Sequence, residues 1–228
     1  MGMTTHAYLS ASAAHRWSTC PASAVLAEQV PPAPAGAAAD RGTELHALAE
    51  KLIREGGDPP PELELYVDFA RSLPKGYLWL EQQVYYGAYL GVPDELAFGT
   101  SDLIHLSQDG KVLTVGDLKT GGMRVVPDEN PQLVLYAVGA LALLDMFGYA
   151  QPEQVRLAIL QERASDEPMV WETTPEDCYT LAAQLAAPAQ EAVRLGGTTD
   201  TAKLTFRVAE EACRYCPVAA TCPALRAV

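Results

Sequence analysis

The sequence is poor in positive charge: 16 Lys and Arg residues stand against 29 Asp and Glu, for a net charge of −13. This balance argues against a protein that coats nucleic acid with a broad basic face, although a local groove is compatible with it. No apolar run reaches the roughly 18 residues that a transmembrane helix needs. The first ten residues lack the charged and apolar regions of a signal peptide, so we expect a cytoplasmic protein.

The chain also lacks internal repeats, and its 228 residues fit one domain. We expect a single domain over residues 1–228, with its core at about 40–195. Two flanking segments, at about 9–28 and 205–226, carry the grouped cysteines described below.

The patterns of apolar residues and turn formers predict the fold class. Helices are expected at 10–28, 42–55, 59–72, 128–147 and 175–195, and strands at 77–90, 97–107, 111–119, 154–162 and 169–173. This order predicts a mixed α/β fold in which helices cover a mixed sheet.

Four of the five cysteines have the grouping of a metal centre. Cys213, Cys216 and Cys222 form C-x2-C-x5-C, and Cys20 lies near the other end of the chain. In the cytoplasm, grouped cysteines favour metal or redox roles over disulfides. Four thiolates suit a structural zinc or an iron–sulfur cluster, and the spacing leaves both open. Cys178 stands apart, and we expect it to be a small buried apolar residue.

Asp109-Gly110 between two β-like runs predicts a hairpin closed by a two-residue type I′ turn. The resulting register places three pairs on one face of the sheet: Leu106 with Leu113, Ile104 with Val115, and Asp102 with Asp117. A different loop length would shift this register.

Two opposed carboxylates repel each other unless they share a cation or a proton. Asp102 and Asp117 therefore predict a site for Mg²⁺ or Mn²⁺, with the Leu118 carbonyl as a further candidate ligand. Lys119, on the same face, is placed to stabilise charge during phosphodiester hydrolysis. The alternative is a solvated strand end whose charges point to water.

Two helices offer further candidates. His46 follows Gly42-Thr43 at the start of the second helix, where an imidazole can bind Mn²⁺. Gln132 and Tyr136 are one turn apart on the long helix and can hold water or phosphate. Taken alone, a histidine on a helix is more often a packed or surface residue, and a Gln–Tyr pair of this spacing is as often ordinary packing. Glu81 is a possible outer carboxylate.

In order along the chain, His46, Gly99-Thr100-Ser101-Asp102, Asp117-Leu118-Lys119 and Gln132 with Tyr136 resemble the motifs of the RecB-type PD-(D/E)XK nucleases. The flanking cysteines resemble those of the iron–sulfur members, which include the AddB nuclease domain and CRISPR-associated exonucleases. The segment Leu9–Trp17, with Cys20-Pro21, resembles a phage-associated family of uncharacterised nuclease-like proteins. Asp117 departs from the many relatives that carry Glu there.

The resemblance implies a restriction-endonuclease-like core and a divalent-metal site on His46, Asp102 and Asp117. Lys119 would be catalytic, and Gln132 and Tyr136 would assist. It also implies a [4Fe–4S] cluster on Cys20, Cys213, Cys216 and Cys222.

These implications lead us to expect a metal-dependent DNA exonuclease of a bacterial cell, phage or prophage, acting on free ends or single strands. The sequence lacks a G-x-x-x-x-G-K-[ST] motif, so unwinding would need a helicase or recombination partner. Alternatives are a catalytically idle module that binds DNA ends or a partner, and a zinc-stabilised scaffold. Candidate phosphate contacts are Arg16, Lys119, Arg124, Lys203, Arg207 and Arg214.

Overall fold

The computed structural model describes residues 7–31 and 36–226. Residues 1–6, on which part of the expectation about a signal peptide depends, lie outside the described residues. Among the residues described, no helix combines the length and the apolar character that a bilayer crossing requires.

Five strands form one sheet in the order of the chain. They are β1 (Gly76–Tyr85), β2 (Phe98–Ser107), β3 (Val112–Leu118), β4 (Gln154–Leu160) and β5 (Met169–Thr173). All neighbours are antiparallel except β3 and β4, which are parallel and are joined through a long helix. The mixed α/β fold expected from the sequence is confirmed.

Helices cover both faces of the sheet. In chain order they are α1 (Ala14–Thr19), α2 (Ala22–Ala27), α3 (Ala37–Glu55), α4 (Glu64–Ser72), α5 (Gly87–Leu90), α6 (Pro131–Met146), α7 (Pro175–Gln184), α8 (Ala186–Arg194), α9 (Glu210–Arg214) and α10 (Pro223–Arg226).

Helix α6 is the central helix of one face. It begins where the Asn130 side chain accepts hydrogen bonds from the first-turn N–H groups, with Pro131 at the first helical position. Its residues are apolar around almost the whole circumference, which requires burial on all sides. It packs against sheet residues such as Ile104, Val115 and Leu157.

Helices α3 and α4 cover the opposite face. Their apolar side chains, among them Leu45 and Val67, form a second core with Leu103, Leu118 and Leu160 of the sheet. The odd and even residues of β2 and β4 thus enter different cores, as strand geometry requires.

The register predicted for the β2–β3 hairpin is confirmed, since Leu106 pairs with Leu113 and Ile104 with Val115. The predicted two-residue type I′ turn is wrong, because residues 108–111 all lie between the strands. That turn needs positive φ at both central residues, and of Asp109 and Gly110 only Gly110 has it (75°).

The Asp109 carboxylate explains this loop. It accepts hydrogen bonds from Ser107 Oγ at 2.7 Å and from the Lys111 backbone N–H at 3.1 Å. These hydrogen bonds within the loop stabilise the turn, so Asp109 itself does not need a left-handed backbone conformation. The wider loop shortens the ladder of paired residues, which ends at Leu106 with Leu113, but it leaves the register of β2 against β3 unchanged.

Three predicted elements are interrupted. The helix expected over 10–28 is divided into α1 and α2 at Cys20-Pro21, because proline lacks the N–H that a continuous helix needs. The helix expected over 175–195 is divided at Leu185. The strand expected over 77–90 ends at Tyr85, and a short helix follows it.

Candidate active site and cysteine pocket

Three side chains from different elements converge at one place on the sheet. His46 comes from α3, Glu81 from β1 and Asp102 from β2, and their ligand atoms all lie within 4.8 Å of one another. His46 Nδ1 lies 3.3 Å from Asp102 Oδ1 and 3.7 Å from Glu81 Oε1. A helix and two strands thus bring together a group that has the composition and the spacing of a cation site.

Glu81 has an unusual backbone for a strand residue, with φ at 50°. Two side chains of β1 show the result: Leu80 enters the core under α3 and α4, whereas Val84 enters the core under α6. Strict alternation would place both on the same face, so the direction of side chains changes between them. A non-glycine residue with positive φ is costly, and such strain concentrates at functional sites.

Asp102 replaces part of the main-chain ladder. The pairs between β2 and β3 end at Leu103 with Gly116, and Asp102 Oδ2 accepts the next N–H, that of Leu118, at 2.7 Å. The predicted pairing of Asp102 with Asp117 is therefore not a ladder pair. The two carboxylates remain neighbours, however, and both are buried, with exposed fractions of 7% and 2%.

Asp117 belongs to a closed set of polar contacts. Lys119 Nζ lies 2.7 Å from Asp117 Oδ2, and Gln132 Nε2 donates to Asp117 Oδ1 at 2.6 Å. Lys119 Nζ also donates to Gln132 Oε1 at 2.8 Å, and Gln132 Nε2 lies 3.4 Å from the Tyr136 hydroxyl. The structure thus brings together all four of these predicted residues, two from the end of β3 and two from α6.

The electrostatics of the site reflect shared charge. Burial raises the pKa of the Asp102 carboxyl; the hydrogen bond from His46 opposes this rise, and the negative charge of Asp117 adds to it. For His46, burial disfavours the charged ring, but hydrogen bonds to Asp102 and Glu81 outweigh it and raise the pKa. Burial and the charges of Asp117 and Asp102 raise the pKa of Tyr136, so its hydroxyl keeps its proton.

These donors fit a hard divalent cation. Carboxylate oxygens with one imidazole suit Mg²⁺ and Mn²⁺. Asp117 Oδ2 supports the fit, since it is buried and, within the described chain, has no hydrogen bond of good geometry despite the nearby Lys119 ammonium. For Leu118 the structure assigns a role to the backbone N–H, which binds Asp102; its carbonyl as a ligand stays a prediction.

Two glycines permit the close packing around this site. A Cβ at Gly99 would lie 2.9 Å from a ring carbon of Tyr136, and one at Gly42 would lie 3.3 Å from Thr120 Oγ1. The first glycine lets the Tyr136 ring rest on β2. The second lets α3 approach the segment that follows Lys119.

The four grouped cysteines line one cavity. Burial raises the pKa of the Cys216 thiol, and the neighbouring Cys20 and Cys213 add to the rise. The positive charge of Arg16 opposes it. In the described chain, no three cysteine sulfurs lie within 4.8 Å of one another.

Cys178 is fully buried, at 0% exposure, in the core under α6. Burial raises the pKa of its thiol to about 12, which keeps it protonated. The expectation that it is a buried apolar residue is confirmed.

Most of the predicted phosphate contacts already have partners within the chain. Arg16 donates to the Tyr215 carbonyl at 3.3 Å, Lys203 pairs with Asp200 at 3.7 Å, and Arg214 pairs with Glu210 at 2.7 Å. Arg207 borders the cysteine cavity. Arg124 borders an open cavity together with Lys119 and has no ion-pair partner in the described part of the chain.

The sequence predicts Glu81 only as a possible outer carboxylate, whereas the structure brings it to 3.7 Å from His46 Nδ1, within the candidate cation group. Its position in β1 was predicted, but a glutamate in a strand carries no signal that its backbone departs from the β conformation. The alignment of β1 with β2 provides the missing information, because residue 81 lies opposite residue 102 between the pairs Leu80–Leu103 and Gln82–Ser101.

Two comparisons relate the chain to known proteins. The sequence pattern of the family described as "Protein of unknown function (DUF2800)" matches residues 6–69 and 62–227. A solved structure entitled "Crystal structure of SSO0001" has 17% sequence identity and a TM-score of 0.47, and the match covers 93% of this chain and 85% of that chain.

Proposed function

We propose that this chain, which belongs to the DUF2800 family, is a divalent-metal-dependent deoxyribonuclease. One observation carries the proposal: the His46–Glu81–Asp102 group lies beside Asp117, whose carboxylate is held by Lys119 and Gln132. A cation site next to a fixed ammonium group is what phosphodiester hydrolysis requires.

His46, Glu81, Asp102 and Asp117 would hold the metal. Bound there, Mg²⁺ or Mn²⁺ supplies Lewis-acid polarisation of a phosphoryl oxygen and lowers the pKa of a coordinated water. The chain's own contribution is orientation. Asp102 is held by the Leu118 N–H, and Asp117 by Gln132, so neither carboxylate needs to reorganise when the metal binds.

Lys119 would stabilise the negative charge that develops on the phosphoryl oxygens. Its ammonium group is kept in place by Asp117 and by Gln132, at 2.7 and 2.8 Å. Such fixed charge stabilises a transition state without reorganisation of the site. The neutral Tyr136 hydroxyl, next to Gln132, can donate a hydrogen bond to a phosphate or to water.

The cysteine pocket is proposed to hold a [4Fe–4S] cluster with a structural role. The four thiols border one cavity, which supports a shared centre for them. A cluster there would join α2 near the start of the chain to α9 and α10 near its end.

The nuclease proposal is tested with end-labelled single- and double-stranded DNA in Mn²⁺, with and without chelator, followed by sizing of the products. Wild type should degrade DNA, with cleavage from ends giving short products early. Asp117→Ala and Lys119→Ala should lower the rate by at least about 10²–10³-fold while they remain folded.

Lys111→Ala is the matched control. Lys111 belongs to another lysine–carboxylate pair, 2.8 Å from Glu153 at the far end of β3, and its loss should leave cleavage unchanged. Wild type that binds DNA but never cleaves it would contradict the nuclease and favour the catalytically idle binding module.

A further inference from the structure

The segment between β3 and α6, residues 119–130, connects two of the proposed catalytic side chains. Lys119 is its first residue, and Gln132 lies in the first turn of α6 directly after it. The segment contains no helix or strand of its own. Its residues form a large part of the border of the open cavity next to Lys119. Contacts that fix this segment, which we call the β3–α6 loop, therefore fix the surroundings of the proposed site.

Gln161 binds the middle of the β3–α6 loop through its side-chain amide. Its Nε2 donates to the carbonyl oxygens of Gly121 and Met123, each at 2.7 Å, and its Oε1 accepts from the Val125 N–H at 3.0 Å. Both amide hydrogens and the amide oxygen are thus used. Gln161 is only 1% exposed, and a buried amide without such partners would be costly. The loop and this side chain therefore depend on each other.

The sheet holds Gln161 itself in place. Gln161 directly follows β4, where Leu160 pairs with Leu118 and its carbonyl accepts a hydrogen bond from the Lys119 N–H at 2.9 Å. The Gln161 carbonyl accepts a hydrogen bond from the Ala164 N–H, also at 2.9 Å, which closes the turn after the strand. The amide therefore extends from a fixed backbone next to the proposed catalytic lysine.

Two of the three hydrogen bonds restrain the backbone of Arg124. The Met123 carbonyl and the Val125 N–H belong to the two peptide groups on either side of Arg124, and the Gln161 amide binds both. Since peptide groups are planar, fixing both of them fixes φ and ψ of the residue between them.

The side chain of Arg124 is free to bind a ligand. Arg124 is exposed, borders the same cavity as Lys119, and has no ion-pair partner among the residues that the structure describes. A guanidinium group binds phosphate through paired hydrogen bonds. A restrained backbone beneath an unpaired guanidinium favours contact with a group from outside the chain.

We propose that Gln161 is a positioning residue: its amide fixes the β3–α6 loop so that Arg124 and Lys119 border one cavity, where Arg124 contacts a phosphate of the substrate. The choice of ligand rests on the proposed nuclease function. Gln161 acts through Arg124 and does not touch the substrate, because its amide is fully occupied by the loop. It lies outside the motifs that indicated the site from the sequence.

A double-mutant cycle tests the positioning role through steady-state cleavage of end-labelled DNA in Mn²⁺. Arg124→Ala should raise KM by about tenfold, the loss of a hydrogen bond between charged groups, and change kcat by less than about twofold. Gln161→Ala should raise KM in the same direction. Because Gln161 acts through Arg124, the double variant should be no worse than Arg124→Ala. A residue that only stabilised the fold would give independent, additive losses.

Gln161→Met separates the hydrogen bonds from the volume of the side chain. Methionine fills similar space without the amide, so KM should match that of Gln161→Ala while the free energy of unfolding falls less. Gln190→Ala is the matched control. The Gln190 amide also donates to a backbone carbonyl, that of Leu90 at 3.0 Å, but neither residue borders the cavity. Its loss should leave KM unchanged. If Gln161→Ala fails to fold, Gln161→Met replaces it in the cycle.

Trypsin cleavage after Arg124, in chelator, measures the anchoring of the loop without nuclease activity. Gln161→Met should be cut there about tenfold faster than wild type or Gln190→Ala, because the released loop opens more often. Additive losses in the cycle, or a normal KM for Gln161→Met, would overturn the positioning role. A wild type that never cleaves DNA but shows the trypsin contrast contradicts the nuclease and the phosphate contact, while the anchoring stands. An active wild type without that contrast contradicts only the anchoring.

Discussion

The carboxylate site and the cysteine pocket differ in what supports them. The carboxylate site spans β1, β2 and β3 of a five-stranded sheet with an apolar core on each face. The cysteine pocket is bordered by short helices, and the core beside it has four buried residues: Ala22, Val25, Leu195 and Leu204. One site is thus supported by the two large cores of the sheet, and the other by segments near the two ends of the described chain.

The two sites also differ in whether their side chains have binding partners within the polypeptide. The carboxylates are bound to His46, Lys119, Gln132 and the Leu118 N–H within the polypeptide. The four thiols border a cavity instead of binding one another. A cation would therefore enter a preformed site, whereas the proposed centre would itself supply order to the cysteine region.

The largest effect is expected at the cysteines. Cys216→Ala should remove the centre, with its visible absorption and its iron, and lower the free energy of unfolding by about 4 kcal/mol or more. Cys178→Ala, the control, should keep the metal and cost only about 1–2 kcal/mol, because it trims a core side chain. Metal analysis and urea unfolding measure both. A colourless wild type with stoichiometric zinc would reverse the assignment of the centre. A Cys216→Ala protein as stable as wild type would show that the cysteine region does not need a centre for its stability.

A smaller effect is expected when metal is added to the carboxylate site. At Mn²⁺ concentrations about one hundred times the dissociation constant, the folded state should gain about 2.7 kcal/mol, with little other structural change. Asp117→Asn should lose this gain, and Asp109→Asn, in the hairpin loop, should keep it. Thermal unfolding in chelator and in Mn²⁺ gives the comparison. An unfolded metal-free protein with an intact cysteine centre would show that the site is not preformed.

The smallest effect concerns the backbone of Glu81. Glycine adopts φ near 50° without strain, so Glu81→Gly should be more stable than Glu81→Gln by about 1 kcal/mol. Both variants should weaken Mn²⁺ binding, because both lack the carboxylate. Unfolding experiments in chelator compare the two, and equal stability would mean that no strain is stored at this position.

Much of the carboxylate site could be predicted from the sequence because apolar pairing and helix signals determine it. The pairs Leu106–Leu113 and Ile104–Val115 fix how β2 meets β3. Asn130-Pro131 marks the start of α6, which places Gln132 near Asp117. These contacts follow from local pattern together with strand geometry.

The remainder depends on tertiary contacts that leave no local signal. Asp109 holds a wider loop through its own side chain, while Asp-Gly alone favours a tighter turn. The positive φ of Glu81 belongs to a residue type that avoids it. The sequence around Tyr215 carries no signal of its long-range contact, because only the tertiary fold brings its hydroxyl to 3.8 Å from Met123 Sδ.

One contact of Asp102 has an evolutionary consequence. Its carboxylate supplies the acceptor that completes the junction of β2 and β3, in addition to any role as a ligand. Asparagine retains such an acceptor and loses the charge, whereas alanine loses both and leaves a buried N–H without a partner. A lineage that gave up cleavage but kept this architecture should therefore drift to asparagine at position 102.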